Sequence, residues 1–263
     1  METVPRLNTQ RDTYQPGWPP ERFIVPLLAA KIPELFKQYC QPSREGATAL
    51  DVGCGMQPFR RMIEDANYKY ASMDVVQNKS GTVDFIAPLD EPLPAAARDC
   101  APFDFILCTE VMEHVRDWKT SFENFAALLA PHGRVLITCP HFYPLHEAPY
   151  DFWRPTPFAI ESFAKNSGLK VILVEQVGDP WEVLGTLLAE THCYPATTRL
   201  VDRLAAKLGR VGRQLVNCAL LSDWWKSRVV LKGPYFLSVA AILEKPCPES
   251  NANRMEPVIQ SQQ

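Results

Sequence analysis

Short apolar runs alternate with helix-patterned segments along most of this 263-residue chain, and this alternation restricts its fold more than any other feature. Runs of strand length occupy seven places: 47–52, 68–75, 82–87, 103–109, 133–140, 170–178 and 235–245. Apolar residues at helical spacing lie between several of these runs, at 58–66, 121–130 and 155–168. Strands that alternate with helices form βαβ units with parallel strands and right-handed crossovers. The pattern therefore predicts a doubly wound α/β fold.

The domain is expected to occupy residues 21–245, between polar, aperiodic segments at 1–20 and 246–263 that are expected to be flexible and without a functional role. It opens with apolar residues at helical spacing. Because proline lacks an N–H, Pro26 and Pro33 are expected to kink or divide that first helix.

A segment at 179–232, before the last apolar run, is longer than an α/β unit needs and is expected to be a helical insertion. Within it, residues 199–226 combine an apolar stripe with a basic remainder and end near Trp224 and Trp225. A segment of this kind either lies on an anionic membrane surface or forms a lid or dimer helix with a solvated basic face. The sequence leaves these alternatives open.

Composition excludes several classes of protein. With 46% apolar and 22% charged residues, the chain is not collagen-like, coiled-coil or wholly disordered. The 27 Lys and Arg against 30 Asp and Glu give a net charge of -3, which provides no electrostatic case for a nucleic-acid partner.

The eight cysteines form no CxxC pair and no cluster at zinc-ligand spacing, so we expect a reducing cytoplasmic location and no metal. The sequence contains no signal-peptide pattern and no apolar stretch of membrane-spanning length.

The first apolar run ends in a glycine turn, Leu50-Asp51-Val52-Gly53-Cys54-Gly55, that leads into a helix. Glycine permits a tight turn and a close approach of the backbone to a ligand. Asp74 ends the next run about 20 residues later, as a ribose-binding acid does. The turn continues as Met56-Gln57-Pro58, without the third glycine that accommodates a pyrophosphate. This pattern favours a nucleotide-like ligand without a pyrophosphate over NAD.

These residues resemble the motifs of the class I S-adenosylmethionine-dependent methyltransferases. ALDVGCG resembles the first motif of that family, Asp74 its ribose-binding acid, FDFILCTEVMEHV its fourth-strand motif and GRVLITCP its fifth strand. The matching elements cover about residues 45–178 in the right order. The resemblance implies a Rossmann-like methyltransferase fold with a mostly parallel seven-stranded sheet and a helical insertion before the last strand.

The resemblance further implies S-adenosyl-L-methionine as cofactor. The cofactor-binding residues that it implies are Asp51, Gly53, Cys54, Gly55, Asp74, Leu89, Thr109 and Glu110. Asp74 would hold the ribose hydroxyls, and Glu110 would border the cofactor at the end of the fourth strand. Where family members commonly place an acid that meets the adenine amino group, this chain has Pro88, so either Asp90 or the backbone near Leu89 is expected to take that role.

Methyl transfer from a sulfonium is a direct displacement, and a hydroxyl acceptor must also lose a proton. The candidate bases, after the fourth and fifth strands, are His146, His114 and His141. The candidate acceptor-binding residues are Tyr143, Asp151, Trp153 and Arg154. Arg154 would clamp a carboxylate or phosphate of the acceptor, or would instead pair with Asp151 within a structural loop.

The expected activity is methyl transfer to an oxygen or nitrogen of a small molecule. GCGMQPFRR and HFYPLHEAPYDFWRPTPFAI resemble a subgroup often associated with bacterial glycan and natural-product pathways, so a sugar, a glycan precursor or a natural product is the expected acceptor. Two alternatives remain: a different reaction on the same ligand, or a binding protein that has kept the fold and lost turnover.

Overall fold

Seven strands within residues 14–247, the part of the chain that the computed structural model describes, form one sheet. In chain order they are β1 (Thr48–Val52), β2 (Lys69–Asp74), β3 (Phe85–Ile86), β4 (Phe103–Thr109), β5 (Leu129–Pro140), β6 (Lys170–Val177) and β7 (Ser238–Glu244). The order across the sheet is β3-β2-β1-β4-β5-β7-β6, with β7 antiparallel to both neighbours and the other pairs parallel. The predicted doubly wound, mostly parallel sheet is confirmed. Its strand order reverses between β1 and β4, where ligands of such folds bind.

Eight α-helices surround this sheet in the described residues. They are α1 (Glu21–Tyr39), α2 (Arg60–Asp65), α3 (Ala95–Cys100), α4 (Trp118–Leu128), α5 (Pro157–Asn166), α6 (Pro180–Glu190), α7 (Leu200–Leu220) and α8 (Asp223–Lys226). Helices α6 to α8 lie between β6 and β7, which confirms the predicted helical insertion before the last strand. Within residues 14–247, no helix is long and apolar enough to cross a membrane.

Local sequence signals explain where several helices begin. The Asp117 carboxylate accepts a hydrogen bond from the Thr120 N–H at the start of α4 (3.2 Å). The Thr156 hydroxyl caps α5, and Asp179 with Glu182 forms a capping box at α6. Each cap satisfies backbone N–H groups that have no partner inside the helix.

Helix α1 differs from the sequence expectation, because it continues through both Pro26 and Pro33. One side of the helix is buried against the sheet, and Leu28, Ile32 and Leu35 are among the largest fully buried side chains. Burial of this apolar side offsets the hydrogen bonds that the two prolines remove.

The core lies in two layers, one on each face of the sheet. Trp118, Phe122 and Phe125 of α4 pack in the layer on one face. Phe23 and Ile32 of α1 pack in the layer on the other face. The insertion lies on the α1 side, where Gly185 of α6 is so close to Phe23 that an added Cβ would lie 2.1 Å from Cε1. The two layers leave the carboxyl ends of the strands open for a site.

Candidate functional site

A cavity of about 740 Å³ opens at the carboxyl ends of β1, β2 and β4. This volume lies within the range of small-molecule sites. The structure brings all eight cofactor-binding candidates to its wall: Asp51, Gly53, Cys54, Gly55, Asp74, Leu89, Thr109 and Glu110. These residues come from several strand ends and meet at one cavity. Their convergence supports the interpretation that they line one binding site.

The two glycines of the turn after β1 have different neighbours. At Gly53, φ is +67° and an added Cβ would lie 2.1 Å from Cγ2 of Val111, so that position has no room for a side chain. Gly55 also has a positive φ, +50°, but an added Cβ there would meet no described atom within 4 Å. The Gly55 N–H donates to Oδ2 of Asp74 (2.9 Å), which joins the turn to the end of β2.

Two carboxyl groups border this part of the cavity, those of the buried Asp51 and the partly buried Glu110. The Tyr70 hydroxyl donates to Oδ2 of Asp51 (2.8 Å). Burial raises the pKa of Asp51 to about 7, although the Tyr70 hydrogen bond opposes this shift. Burial likewise raises the pKa of Glu110 to about 7. Because both pKa values lie near 7, a cationic ligand can shift either carboxyl group to its charged form near neutral pH.

Both alternatives for the adenine contact lie at the cavity wall beside Pro88. Oδ2 of Asp90 accepts hydrogen bonds from the N–H groups of Arg116 (3.1 Å) and Asp117 (3.3 Å). The carbonyl oxygen of Leu89 accepts a hydrogen bond from Nδ2 of Asn124 (2.7 Å). These bonds fix the segment in position at the cavity wall.

At the cavity wall, Glu113, His114 and His146 form what we call the acceptor-side cluster. Oε1 of Glu113 lies 3.6 Å from Nε2 of His114 and 3.9 Å from Nε2 of His146. Glu113 and His114 come from the short 3-10 turn Met112–His114 after β4, and His146 comes from the loop after β5. Two of the three predicted bases thus meet at one place.

Hydrogen bonding fixes the tautomers of the two histidines when they are neutral. Nδ1 of His114 lies 2.9 Å from the carbonyl oxygen of Tyr150, which can only accept, so this nitrogen carries the proton. Nδ1 of His146 lies 3.2 Å from the Pro144 carbonyl and 3.3 Å from Oδ2 of Asp151, which leads to the same assignment. In both rings Nε2 therefore has the lone pair and is directed toward Glu113.

Burial affects the charges of this cluster. The Glu113 side chain is 1% exposed, and burial together with the nearby charge of Glu110 raises its pKa well above the ordinary value. Burial and neighbouring His114 lower the pKa of His146, while Asp151 opposes that shift. His146 is therefore neutral near neutral pH and able to accept a proton.

Of the four acceptor-binding candidates, only one lies at the cavity wall. Tyr143 lines the cavity, whereas Asp151 and Arg154 lie behind its wall and pair with each other through two hydrogen bonds of 2.6 and 2.7 Å. Arg154 also donates to the carbonyls of Tyr143 and Pro144, so its guanidinium is occupied by the loop itself. This geometry agrees with the structural-loop alternative and corrects the expectation that Arg154 clamps the acceptor.

Trp153 and His141 also lie away from the cavity wall. Trp153 packs against Trp118 with ring centroids 5.5 Å apart, and its Nε1 donates to the Arg116 carbonyl. His141 stacks on Phe236 and lines a separate cavity of about 310 Å³. The expected direct roles of Trp153 in acceptor binding and of His141 as a base are therefore not supported by their positions.

The N-terminal segment contributes residues that the sequence analysis assigned no role. Tyr14, Gly17 and Trp18 line the cavity, within a segment expected to be flexible. The Trp18 ring packs against Tyr143 with ring centroids 5.8 Å apart. The backbone N–H of Trp18 donates to Oε2 of Glu21 (2.9 Å). Aromatic residues in an otherwise polar segment were the available signal. The rest of the two predicted flexible ends, 1–13 and 248–263, lies outside the described residues.

Comparison with known proteins gives a family match and distant curated relatives. A family model described as a methyltransferase domain matches residues 22–209. A ubiquinone biosynthesis O-methyltransferase of Xylella fastidiosa is 31% identical over 132 residues, which cover 46% of this chain and 53% of that protein. Its counterpart from Coxiella burnetii is 26% identical over 135 residues, covering 48% of this chain and 58% of that protein. The match thus spans a little over half the length of these relatives.

Solved structures share the fold at low sequence identity. An S-adenosylmethionine-dependent methyltransferase from Archaeoglobus fulgidus is 13% identical, with a TM-score of 0.50 and coverage of 86% of this chain and 97% of that one. The [4+2]-cyclase SpnF is 16% identical, with a TM-score of 0.52 and coverage of 84% and 82%. Since one of these two is described as a cyclase, the shared fold alone does not determine the reaction.

Proposed function

We propose that this chain, which belongs to the class I S-adenosylmethionine-dependent methyltransferases, transfers a methyl group from S-adenosylmethionine to an oxygen atom of a small molecule. The acceptor-side cluster is the observation that carries this proposal. Nε2 of His146 has its lone pair beside Glu113 in the cavity wall, and a hydroxyl acceptor needs such a group to receive its proton. The curated relatives are also described as O-methyltransferases.

The residues of the glycine turn and of the neighbouring strand ends fit the cofactor. The open space beside Gly55 leaves room for a ligand against the backbone, and Asp74 supplies a carboxylate at the end of β2 for ribose hydroxyls. The carboxyl groups of Asp51 and Glu110 suit a ligand that carries a positive sulfonium. When bound, S-adenosylmethionine supplies an electrophilic methyl group.

The residues of this chain would then align the acceptor and accept its proton. Nε2 of His146 would receive the hydroxyl proton of the acceptor as the acceptor oxygen takes the methyl group that S-adenosylmethionine would supply. Asp151, 3.3 Å from Nδ1 of the same ring, stabilises the resulting imidazolium. Arg154 holds Asp151 in place and acts as a positioning residue.

Replacement of His146 tests this role. His146→Gln is expected to lower turnover by about 10²- to 10⁴-fold, the usual contribution of a general base, and to leave the dissociation constant of S-adenosylmethionine unchanged. His141→Gln is the matched control. Because His141 lines the separate cavity, this variant is expected to leave turnover unchanged. Normal turnover in His146→Gln would exclude the proposed base.

The acceptor is expected to carry its hydroxyl on an apolar or aromatic body. Trp18, Tyr143, Leu145 and Tyr150 line the cavity near the acceptor-side cluster. Such walls bind flat, apolar molecules well. Of the acceptors expected from the sequence, a natural product thus fits better than a free sugar. Methylation assays with phenols and catechols, set beside simple sugars, test this preference.

We infer that α7 binds an anionic lipid surface. Leu200, Leu208 and Leu215 share one side of this helix and are 72%, 73% and 67% exposed, whereas Ala206 and Leu220, on its opposite side, are buried. Basic residues flank the apolar side: Arg203, Lys207 and Arg210. An outward apolar side with a basic flank suits anionic lipid, whereas a second copy of this helix would bring like charges together.

Vesicle binding tests this inference. The chain is expected to cosediment with vesicles that contain phosphatidylserine and less with neutral phosphatidylcholine vesicles, and the double variant Leu204→Ser/Leu208→Ser is expected to lose that binding. Leu184→Ser/Leu187→Ser, at two exposed leucines of α6, is the matched control. Equal binding by the α7 variant, or a concentration-dependent dimer that the α7 variant abolishes, would overturn the inference.

A further inference from the structure

The acceptor-side cluster has the composition and geometry of a cation site as well as that of a base. One ligand atom from each of Glu113, His114 and His146 lies within 4.8 Å of the other two. Ligand atoms of a tetrahedral site at about 2.0–2.2 Å from the cation lie roughly 3.3–3.6 Å apart, so the widest separation here must shorten by up to about 1.5 Å. Cation binding therefore requires side-chain rotation within the cluster.

The surroundings of the two histidines match those of metal ligands. A metal-bound histidine almost always donates its other ring N–H to a carbonyl or carboxylate, which fixes the ring. Here Nδ1 of His114 donates to the carbonyl of Tyr150, and Nδ1 of His146 lies within reach of Asp151. Asp151 is in turn held by Arg154. The support for both imidazoles is therefore present in the protein itself.

A bound cation would also compensate a buried acid. The Glu113 carboxyl is almost fully buried, and the hydrogen bonds described for it come from Sγ of Cys139 to Oε2 (3.8 Å) and from its own backbone N–H. The charge of Arg154 acts on Glu113 from a distance, without a described ion pair between the two side chains. A carboxylate in such a place is stabilised by a cation at Oε1.

We propose that the acceptor-side cluster binds one divalent transition-metal cation through Oε1 of Glu113 and Nε2 of His114 and His146. Two imidazoles and one carboxylate favour Zn²⁺, Fe²⁺ or Co²⁺ over Mg²⁺, which prefers oxygen ligands and water. The sequence predicted no metal, because it contains no CxxC pair and no cluster of cysteines and histidines at zinc-ligand spacing. Here an adjacent pair, Glu113 and His114, meets a histidine 32 residues further along the chain.

Three protein ligands leave coordination positions open toward the cavity. A hydroxyl of the acceptor would occupy one of them, and the cation would lower the pKa of that hydroxyl, so that its proton would pass to solvent before methyl transfer. In the cation-loaded protein His146 is a ligand, and this binding replaces its role as a base. This catalytic role rests on the proposed function, whereas cation binding itself does not.

The test is a titration of the full chain with Co²⁺, Zn²⁺ and Mg²⁺ without cofactor or acceptor, followed by calorimetry and, for Co²⁺, by visible absorption. One equivalent of Zn²⁺ or Co²⁺ is expected to bind, with a lower dissociation constant than Mg²⁺. The Co²⁺ spectrum is expected to lack thiolate charge-transfer bands, which would indicate binding at a cysteine. His114→Gln and His146→Gln are each expected to raise the dissociation constant at least tenfold.

A matched control exists outside the cavity. His132 is 70% exposed, and its Nδ1 lies 4.0 Å from Oε1 of Glu244, so it also pairs a histidine with a glutamate. His132→Gln is expected to leave cation binding unchanged. Because Glu113 is buried, Glu113→Gln is compared with the parent protein by thermal melting before its binding is interpreted.

Two results would overturn the cation site: no stoichiometric binding of Zn²⁺ or Co²⁺, or unchanged binding in His146→Gln. Neither would affect the proposed methyl transfer, which is tested separately through S-adenosylmethionine binding and turnover in the presence of EDTA. If EDTA leaves turnover unchanged and no cation binds, His146 remains the base.

Discussion

Gly53 and Gly55 have similar backbone angles, but their side-chain positions face different surroundings. Both residues lie in the left-handed region, with φ of +67° and +50°. The Cβ position of Gly53 lies against Val111, whereas that of Gly55 lies in open space. Gly53 is thus required by packing, and Gly55 leaves room beside the cavity.

Alanine at these two positions is expected to separate stability from binding. Gly53→Ala is expected to lower the free energy of unfolding by about 2–4 kcal/mol, because left-handed strain adds to overpacking against Val111. Gly55→Ala is expected to lower it by about 1 kcal/mol and to weaken S-adenosylmethionine binding, because its methyl group enters the open space. Urea unfolding and calorimetry measure the two effects. Equal destabilisation by both variants would contradict this explanation.

Single residues of the glycine turn were predictable, and residues of the loop after β5 were not. The positions of the glycines and Asp74 follow from nearby sequence, because these residues lie at the ends of strands that the apolar pattern identifies. The loop depends on contacts between distant residues: Arg154 binds Asp151 and the carbonyl of Tyr143, and this places His146 in the cavity. Nothing in the sequence distinguishes His146 from His141, because their separation depends on the path of the loop.

At the scale of elements, one ion pair holds the start of β4 against β1. The Asp104 carboxylate accepts hydrogen bonds from Nε and Nη2 of Arg44 (2.8 and 2.7 Å) and from the N–H of Thr48 (2.8 Å). Burial alone would raise the pKa of Asp104, but these hydrogen bonds and the charge of Arg44 hold it below the ordinary value. Asp104 is therefore more acidic in the folded chain than in the unfolded chain.

This interaction predicts a pH-dependent contribution to stability. A carboxyl with a lowered pKa stabilises the fold fully above its unfolded pKa of about 4, and the contribution is lost as pH falls through the folded value. Asp104→Asn is expected to lower the free energy of unfolding by about 1–2 kcal/mol near pH 7, a modest value because Arg44 is half exposed. Urea unfolding is compared over a pH series. A difference from the parent protein that persists well below pH 4 would contradict the role of the charge.

Elements with a strong apolar period were predictable, and short ones were not. All seven strands were identified, but β3 consists of Phe85 and Ile86 alone and is shorter than the apolar run around it. Helix α3 was missed, because Ala95–Cys100 has a single buried residue and so no periodic pattern. Strand β5 begins at Leu129, inside the helix predicted for 121–130, because residues 129–130 are buried in the sheet and helix α4 ends at Leu128.

At the scale of the whole molecule, the cavity brings together segments that are distant in the chain. The N-terminal Trp18, the turn at Gly55, the end of β4 and the loop with His146 all contribute to one wall. Since such a cavity exists in the folded chain and not in the unfolded chain, a ligand that fits it stabilises the whole fold. Cofactor binding is therefore measurable as a shift of the unfolding temperature without knowledge of the acceptor.

S-adenosylmethionine is expected to raise the melting temperature, and NAD is not. At a concentration of about 100 times its dissociation constant, a ligand adds about 2.7 kcal/mol to the free energy of unfolding, or roughly 5–10 °C for a chain of this size. NAD needs room for a pyrophosphate, which the third glycine of the dinucleotide motif provides and Pro58 does not. Asp74→Asn is expected to remove the shift at the same cofactor concentration, because the ribose hydroxyls lose a charged acceptor. Scanning calorimetry measures all three cases. A shift with NAD would contradict the interpretation of the glycine turn, and an undiminished shift in Asp74→Asn would place the ribose elsewhere in the cavity.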